Sequence, residues 1–297
     1  IKTYHTNYDL PIEGILHTEP AFYFHRADLD QTEDEYSQFC ADQLEELILK
    51  ENPDTVAGFI AEPVIGNGGL VPPPQNYWPR IRNVLEKYDV ALISDEVVTG
   101  FGRLGKMFGV DYFGIEADMI TVAKGITSAY SPLSGSILSE KISNVIRDAT
   151  DKYGVWTHGS TYSAHPISCA AGVANLNHID NHQLIKKGKN ISEYFNFKLK
   201  EKFQDHPQIG DVRGIGLLSA IELVKDKKNR KFFEKQGQLS QEIVTRMAKN
   251  GVLARAMPAG DTIGFAPAFC ISNNEIDTIL DVTPVSYTHL TLPTIGC

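Results

Sequence analysis

Between Tyr36 and Leu138 the sequence repeatedly switches from a helical period to short, wholly apolar runs. That alternation is the signature of an α/β domain with a largely parallel sheet. Tyr36–Lys50 repeats Phe39, Leu44, Leu47 and Ile48 at helix spacing, and Tyr77–Tyr88 repeats Ile81, Val84 and Leu85. Val56–Ala61, Val90–Ile93, Met119–Ala123 and Gly135–Leu138 are too short for independent helices and are bounded by turn residues. They read as strands, apolar on both faces, with helices expected on either side. Pro166 opens a further helix, Ile167–Ile179, since proline is tolerated in the first turn. The chain then changes character. His182–Phe203 reads as a Lys-rich amphipathic helix, and Val212–Val224, Gln238–Lys249 and Val252–Phe265 predict a strand, a helix and a strand. The expected organisation is a large α/β domain over residues 1–180 and a smaller α+β domain over 181–285.

Composition narrows the function classes. With 297 residues, 42% of them hydrophobic, the chain can bury a large core or two unequal ones. A formal net charge of −9 argues against a nucleic-acid partner, which needs Lys and Arg in excess on one face. No run reaches the roughly 18 to 20 apolar residues of a membrane span, and no signal peptide is visible, so the expectation is a soluble, cytoplasmic protein. Cys40, Cys169, Cys270 and Cys297 lie far apart without a CxxC pair, which indicates neither a zinc cluster nor a disulfide framework.

Both ends read as irregular. The first residue is Ile1, and the first strong strand signal comes only near Val56, which suggests a missing upstream segment. Asn273–Val282 starts a helix, with asparagine caps and with Ile276, Ile279 and Leu280 at helix spacing, and is expected to break at PVSYTHLTLPTIGC. Residues 286–297 read as a non-native tail of adapter or vector origin.

Four places put polar groups at the ends of apolar strands, where ligands bind in open α/β sheets: Glu62, Asp95, Lys124 and the segment around Thr161. Asp95 follows VALIS and precedes a glycine-rich turn, and Lys124 follows ITVA. A strand-end aspartate commonly caps a turn. A lysine directly after a buried strand is rarer, because an ammonium without a partner is costly to bury. Together they suggest a lysine poised near an acid for Schiff-base chemistry. The GFGRLG stretch has GxGxxG spacing but follows DEV instead of leading from a strand into a helix, which argues against a nicotinamide site.

AEPVIGNGG at Ala61–Gly69, ISDEVVTGFGRLG at Ile93–Gly105, ITVAKGITSAYSPLSG at Ile120–Gly135 and HGSTYSAHPISCAAG at His158–Gly172 resemble successive signature blocks of the class III aminotransferases. ARAMPAGDTIGFAP at Ala254–Pro267 adds a fifth. The resemblance covers about residues 10–283 and implies a fold-type I architecture that uses pyridoxal 5'-phosphate. Carried over by motif, it implies that Lys124 holds the cofactor covalently and shuttles the substrate proton, and that Asp95 pairs with the pyridinium nitrogen. Val97 would pack on the ring face, Thr161 would donate to the phosphate of a neighbouring subunit's site, and Glu62 matches the family's strand-end glutamate. Arg255 would clamp a substrate carboxylate. The implied partners are a small-molecule amino donor, a 2-oxo acid acceptor and a second copy of the chain in a homodimer with shared active sites.

DEVV, TSAYSPLSG and TYSAHP are most similar to the omega-amino acid or amine:pyruvate branch. Val98 stands where many members that use 2-oxoglutarate carry glutamine, which tilts the expectation towards pyruvate. The family's Gly-Ser phosphate loop and stacking aromatic residue are not visible before Ile1. Alternatives on the same fold are a glutamate-1-semialdehyde aminomutase and a decarboxylase; a catalytically incompetent fragment is a third.

Overall fold

A computed structural model describes residues 2–288, with side-chain burial described over 5–286. In chain order the helices are α1 (Lys2–Asn7), α2 (Tyr23–Arg26), α3 (Glu33–Glu51), α4 (Tyr77–Lys87), α5 (Gly109–Phe113), α6 (Glu140–Tyr153), α7 (Pro166–Asn181), α8 (Leu184–Phe203), α9 (Gln238–Lys249) and α10 (Asn273–Thr288). The strands are β1 (Gly58–Ala61), β2 (Ala91–Asp95), β3 (Met119–Val122), β4 (Gly135–Leu138), β5 (Ile209–Ile215), β6 (Leu218–Leu223), β7 (Arg255–Ala256) and β8 (Thr262–Phe265). No described helix is long and apolar enough to cross a membrane.

The chain groups into two compact units that are not contiguous in sequence. Among the described residues, one holds 41–63 and 76–186; the other holds 2–40, 64–75 and 187–288. Residues 2–40 and 64–75, read from the sequence together with the sheet domain, therefore group with the C-terminal residues.

The first unit is built on a sheet of order β1-β2-β3-β4. β1, β2 and β3 run parallel, and β4 is antiparallel to β3, with Gly135 opposite Val122. α4 packs against β2 and buries Tyr77, Trp78, Ile81, Val84 and Leu85. Each such side chain contributes about 1.5–3 kcal/mol. The indole of Trp78 donates to the carbonyl of Pro63, and the Tyr88 hydroxyl donates to Glu45 of α3 at 2.6 Å. Beside β3, Phe101, Val122 and Ile179 form a smaller cluster with Ile120, Ile126 and Leu176. The expectation of strands covered on both faces fails at the sheet edges. β1 leaves Ile60 59% exposed and β4 leaves Ile137 47% exposed. α6, which was not among the expected elements, is capped by Ser139, whose hydroxyl accepts the N–H of Ile142.

The second unit carries an antiparallel sheet of order β5-β6-β8-β7. Its core joins Phe195, Leu199 and Phe203 of α8, Ile243 and Met247 of α9, Ile276 and Leu280 of α10, and Ile221, Ile263 and Phe265 of the sheet. Val212–Val224, expected as one strand, is a hairpin. Ile215 pairs with Leu218 across a two-residue loop in which Gly216 takes φ +55°, a value glycine adopts at little cost. Val252–Phe265 likewise contains two strands, β7 and β8, paired through Arg255–Gly264 and Ala256–Ile263.

Helix caps explain two shifted boundaries. Thr32 and Glu35 exchange hydrogen bonds, so α3 starts before Tyr36. Ser272 and Glu275 do the same for α10, which makes Ser272 the cap rather than the asparagines. The predicted break at Pro284 also does not occur. α10 continues to Thr288, and the hydroxyls of Thr283 and Ser286 bond back to the carbonyls of Ile279 and Val282 around the proline. Residues 286–288, read as part of a non-native tail, are therefore helical, while 289–297 lie outside the described residues.

Candidate active site

Three parallel strands bring their carboxyl ends to one edge. Ala61 pairs with Ser94 and Asp95 pairs with Thr121, so Glu62, Asp95 and Lys124 follow at or just beyond the ends of β1, β2 and β3. Asp95 is half-buried, and its Oδ1 accepts the N–H of Val97 at 3.1 Å and the Thr121 hydroxyl at 3.3 Å. Val97 is likewise half-buried.

The next residue does different work. Glu96 is 1% exposed and accepts the N–H groups of Gly109 and Val110, both at 2.8 Å, together with the hydroxyl of Thr99. Its carboxylate thereby caps the start of α5. The site is tight: a Cβ on Gly109 would lie 2.6 Å from Pro63, and one on Gly100 would lie 2.8 Å from the Glu96 carbonyl. Asp95 therefore sits on a segment fixed from beneath by its neighbour.

Lys124 opens a 3-10 turn, Lys124–Ile126, with φ +40°. A non-glycine residue held there costs about 1–3 kcal/mol and persists only where its surroundings fix it. The side chain is exposed, so the desolvation argued from the sequence is not met. The lysine leaves the strand end sideways through a turn instead of continuing its buried line. Phe101 backs Gly125, where a Cβ would lie 3.2 Å from the ring, and Asn175 of α7 bonds to the turn from another side. Further along, the Thr127 hydroxyl donates to Ser131 and the hydroxyls of Ser131 and Ser168 lie 2.8 Å apart.

Thr161 lies exposed in a turn before α7, which Ser160 and Ser163 close by hydrogen bonding. Among the described residues no hydrogen bond links Thr161 to Asp95 or Lys124. In the same exposed segment Trp156 stacks on His158 with ring centroids 5.3 Å apart. Glu62 is half-buried. Arg255 belongs to the other unit, on β7 opposite Gly264, and is exposed, with no ion pair among the described residues.

The sequence reading named Asp95, Val97 and Lys124, but not Glu96, Thr121 or Asn175. A polar residue inside an apolar strand, and an asparagine inside an Ala-rich helix, were the available signals for the last two.

The family model for class-III aminotransferases matches residues 6–283. The chain belongs to that family. Pyridoxal 5'-phosphate is the cofactor of class III aminotransferases. This class III chain is 47% identical over 282 residues to a diaminobutyrate–2-oxoglutarate transaminase of Halomonas elongata, a match covering 94% of the chain and 60% of the relative. It is 40% identical over 278 residues to a mitochondrial gamma aminobutyrate transaminase of Solanum lycopersicum, covering 94% and 53%. A thermostable omega transaminase mutant from Pseudomonas jessenii superposes with a TM-score of 0.94 at 33% identity, over 98% of this chain and 64% of that one. The chain thus spans between about half and two thirds of the length of these relatives, and its fold is that of fold-type I transaminases.

Proposed function

We propose that this class III chain supplies the cofactor-holding lysine and acid of a pyridoxal-phosphate-dependent aminotransferase. That enzyme would move an amino group from an omega-amino acid or primary amine to a 2-oxo acid. The observation that carries the reading is the pairing of Asp95 with Thr121, which sets a carboxylate and Lys124 at the ends of neighbouring parallel strands. These residues suit the group: the carboxylate has one oxygen engaged by the protein, and the lysine is exposed at the same edge. When bound, pyridoxal phosphate supplies an electron sink for charge developing on the substrate carbon.

The chain's own residues would do the rest. Asp95, with Oδ1 held by Val97 and Thr121, would keep a proton on the ring nitrogen through its other oxygen. Val97 would pack on the ring, and Glu62 stands at the same strand-end edge. Lys124 would hold the cofactor and, once its amine is released, carry the proton to and from the substrate carbon. Thr161 would donate to the phosphate in a second subunit's site, which fits its exposure and makes a homodimer part of the reading. Arg255 would grip a substrate carboxylate. The two substrates would react in turn, by a ping-pong route.

Val98 supports pyruvate as acceptor. The similarity to the diaminobutyrate–2-oxoglutarate transaminase favours 2-oxoglutarate as a second reading. An aminomutase would keep the amino group within one substrate and a decarboxylase would release carbon dioxide, so product analysis separates both from transamination. The test is made on the protein that carries this chain. It is incubated with pyridoxal phosphate, reduced with borohydride and mapped, then assayed with a panel of amines against both acceptors. The label is expected on Lys124; a label on Lys106 or Lys141 overturns the assignment. Amine turnover with neither acceptor overturns the activity.

A further inference from the structure

The left-handed backbone at Lys124 requires something to hold it, and α7 provides the means. Asn175 uses its entire amide on this one turn. Its Nδ2 donates to the carbonyls of Gly125 at 2.9 Å and Ile126 at 3.1 Å, and its Oδ1 accepts the Ser128 hydroxyl at 2.7 Å. A primary amide offers two hydrogens and one acceptor oxygen, and all three functions are engaged here. The segment it grips contains three non-glycine residues at positive φ: Lys124 at +40°, Ser128 at +49° and Ala129 at +66°. The two carbonyls it takes belong to the Gly125–Ile126 and Ile126–Thr127 peptides, directly beyond the peptide that leaves Lys124, so they hold the turn that Lys124 opens. Gly172, also on α7, faces the same stretch: a Cβ there would lie 3.0 Å from the Leu133 side chain and 3.8 Å from the Ile126 carbonyl.

We infer that Asn175 is a positioning residue for Lys124, aiming its amine by holding the Gly125 and Ile126 carbonyls from α7. The inference rests on the functional reading above, in which Lys124 bonds the cofactor and moves the substrate proton. Asn175 touches neither reactant and acts only through the backbone of the turn. Replacing Asn175 by Asp keeps the size but turns the donor into an acceptor facing two carbonyls, and replacing it by Ala removes every contact.

Asn175→Ala, Asn175→Asp and Ser128→Ala are to be compared with wild type in the protein that carries this chain, loaded with pyridoxal phosphate. A small misplacement of a reacting group costs up to about a hundredfold in rate, so both Asn175 variants should lose about ten- to a hundredfold in kcat while the donor KM stays near wild type. The isotope effect on kcat for a donor deuterated at the reacting carbon should rise, because proton transfer by a poorly aimed amine becomes slower relative to the other steps. Separately from turnover, borohydride should fix less label on Lys124 at a short reaction time. Ser128→Ala, which frees only the amide oxygen, should show smaller changes of the same sign. It also carries the test if the Asn175 variants fail to fold, and unchanged label and isotope effect in it would then overturn the inference. Absence of label on wild-type Lys124 means the functional reading is wrong, and the role of Asn175 falls with it. A labelled wild type with variants that match it in label and isotope effect overturns the role of Asn175 alone, even if their melting temperatures drop.

Discussion

The carboxylate of Glu96 accepts the backbone N–H of Gly109 at 2.8 Å, from the position directly after the acid proposed for catalysis. Two adjacent acids at one strand end thus have different tasks. Asp95 stays half-buried at the sheet edge, whereas Glu96 is buried and ties the glycine-rich loop to the start of α5.

Glu96→Ala would leave the N–H groups of Gly109 and Val110 and the Thr99 hydroxyl without their acceptor and would open a cavity. Each orphaned buried donor costs about 1–3 kcal/mol, so a loss of about 3 kcal/mol or more is expected in denaturant unfolding. Glu96→Gln keeps one acceptor oxygen and should lose less. A variant as stable as wild type would remove Glu96 from its anchoring role.

For Asp95 the prediction concerns rate. Asp95→Asn preserves shape and can still accept from Val97 and Thr121, but it loses the charge that would hold the ring nitrogen protonated. Cofactor should still bind, with turnover reduced about a hundredfold or more. Thr121→Val removes the 3.3 Å hydrogen bond alone and should give a milder loss of the same kind. Near-normal turnover in Asp95→Asn would take that residue out of the mechanism.

How far the sequence could be read depended on the range of the interactions involved. Gly135–Leu138 was legible to the residue, and the Tyr77 helix to within one residue at its end, because local period and turn residues define both. The β5–β6 hairpin was not, since its turn consists of Gly216 and a buried Leu217 and carries no polar break. α6 escaped although Ile142, Val145, Ile146 and Ala149 recur at helix spacing; that stripe is not buried in the fold, Val145 being 64% exposed. At the candidate site, Glu62, Asp95 and Lys124 lie at or just beyond strand ends, where the chain itself announces them. Glu96, Thr121 and Asn175 act through partners 13 to 50 positions away, and no local pattern encodes such a pairing.

In the second unit a buried ionic cluster sets a pH dependence. Glu222 is fully buried, pairs with Arg213 at 2.7 Å and bonds to His25, while Arg213 also donates to Asp211 and to the Gly69 carbonyl. Burial pushes the Glu222 carboxyl up, but the His25 hydrogen bond and the Arg213 guanidinium together outweigh it and hold the group below its ordinary value. A carboxyl lowered in the folded state contributes stability above its unfolded pKa, about 4.3, and that stability is lost as pH falls through the folded value. The melting temperature should therefore drop on acidification below about pH 4. Glu222→Gln should flatten this limb and cost about 3–5 kcal/mol at neutral pH, because it leaves Arg213 short of a buried partner. An unchanged acid limb in the variant would show that other groups set it.

Asp261 works in the opposite sense. Burial pushes its carboxyl up, against hydrogen bonds from the backbone at Ser240, Gly237 and Leu239, and the nearby Glu222 adds to the rise. Its Oδ1 accepts from Ser240 at 3.0 Å, while Oδ2 is buried without a hydrogen-bond partner among the described residues. A carboxyl raised in the folded state loses stability as pH rises from its unfolded pKa through its folded value, above which the cost is complete. Asp261→Asn should thus be close to neutral in acid and stabilising at pH 7, with the gap widening as pH rises between those limits. A variant less stable than wild type at pH 7 would mean that the charge at the start of α9 contributes more than its burial costs.

Arg255 is the place where substrate choice can be tested apart from the chemical step. It stands on the two-residue strand β7, opposite Gly264, exposed and without an ion pair among the described residues. A surface guanidinium that merely served stability would gain little from such a position, since exposed charges contribute under about 1 kcal/mol even when paired. A guanidinium can instead grip a carboxylate through two parallel hydrogen bonds, and losing such a pair costs about 1.5–3 kcal/mol. At about 1.4 kcal/mol per decade this is roughly ten- to a hundredfold in specificity. If neutral amines are also donors, the same side chain must move aside in one half-reaction. Pro258, Ala259 and Gly260, the last at φ +71°, follow in the turn that leads to β8 and would provide the hinge. Arg255→Ala in the protein that carries this chain should raise KM for the 2-oxo acid and for amino-acid donors by about that factor. The half-reaction with a neutral amine, followed by the change in cofactor absorbance without acceptor, should be much less affected. Equal losses for carboxylated and neutral donors would mean that Arg255 supports the β7–β8 hairpin and does not read the substrate.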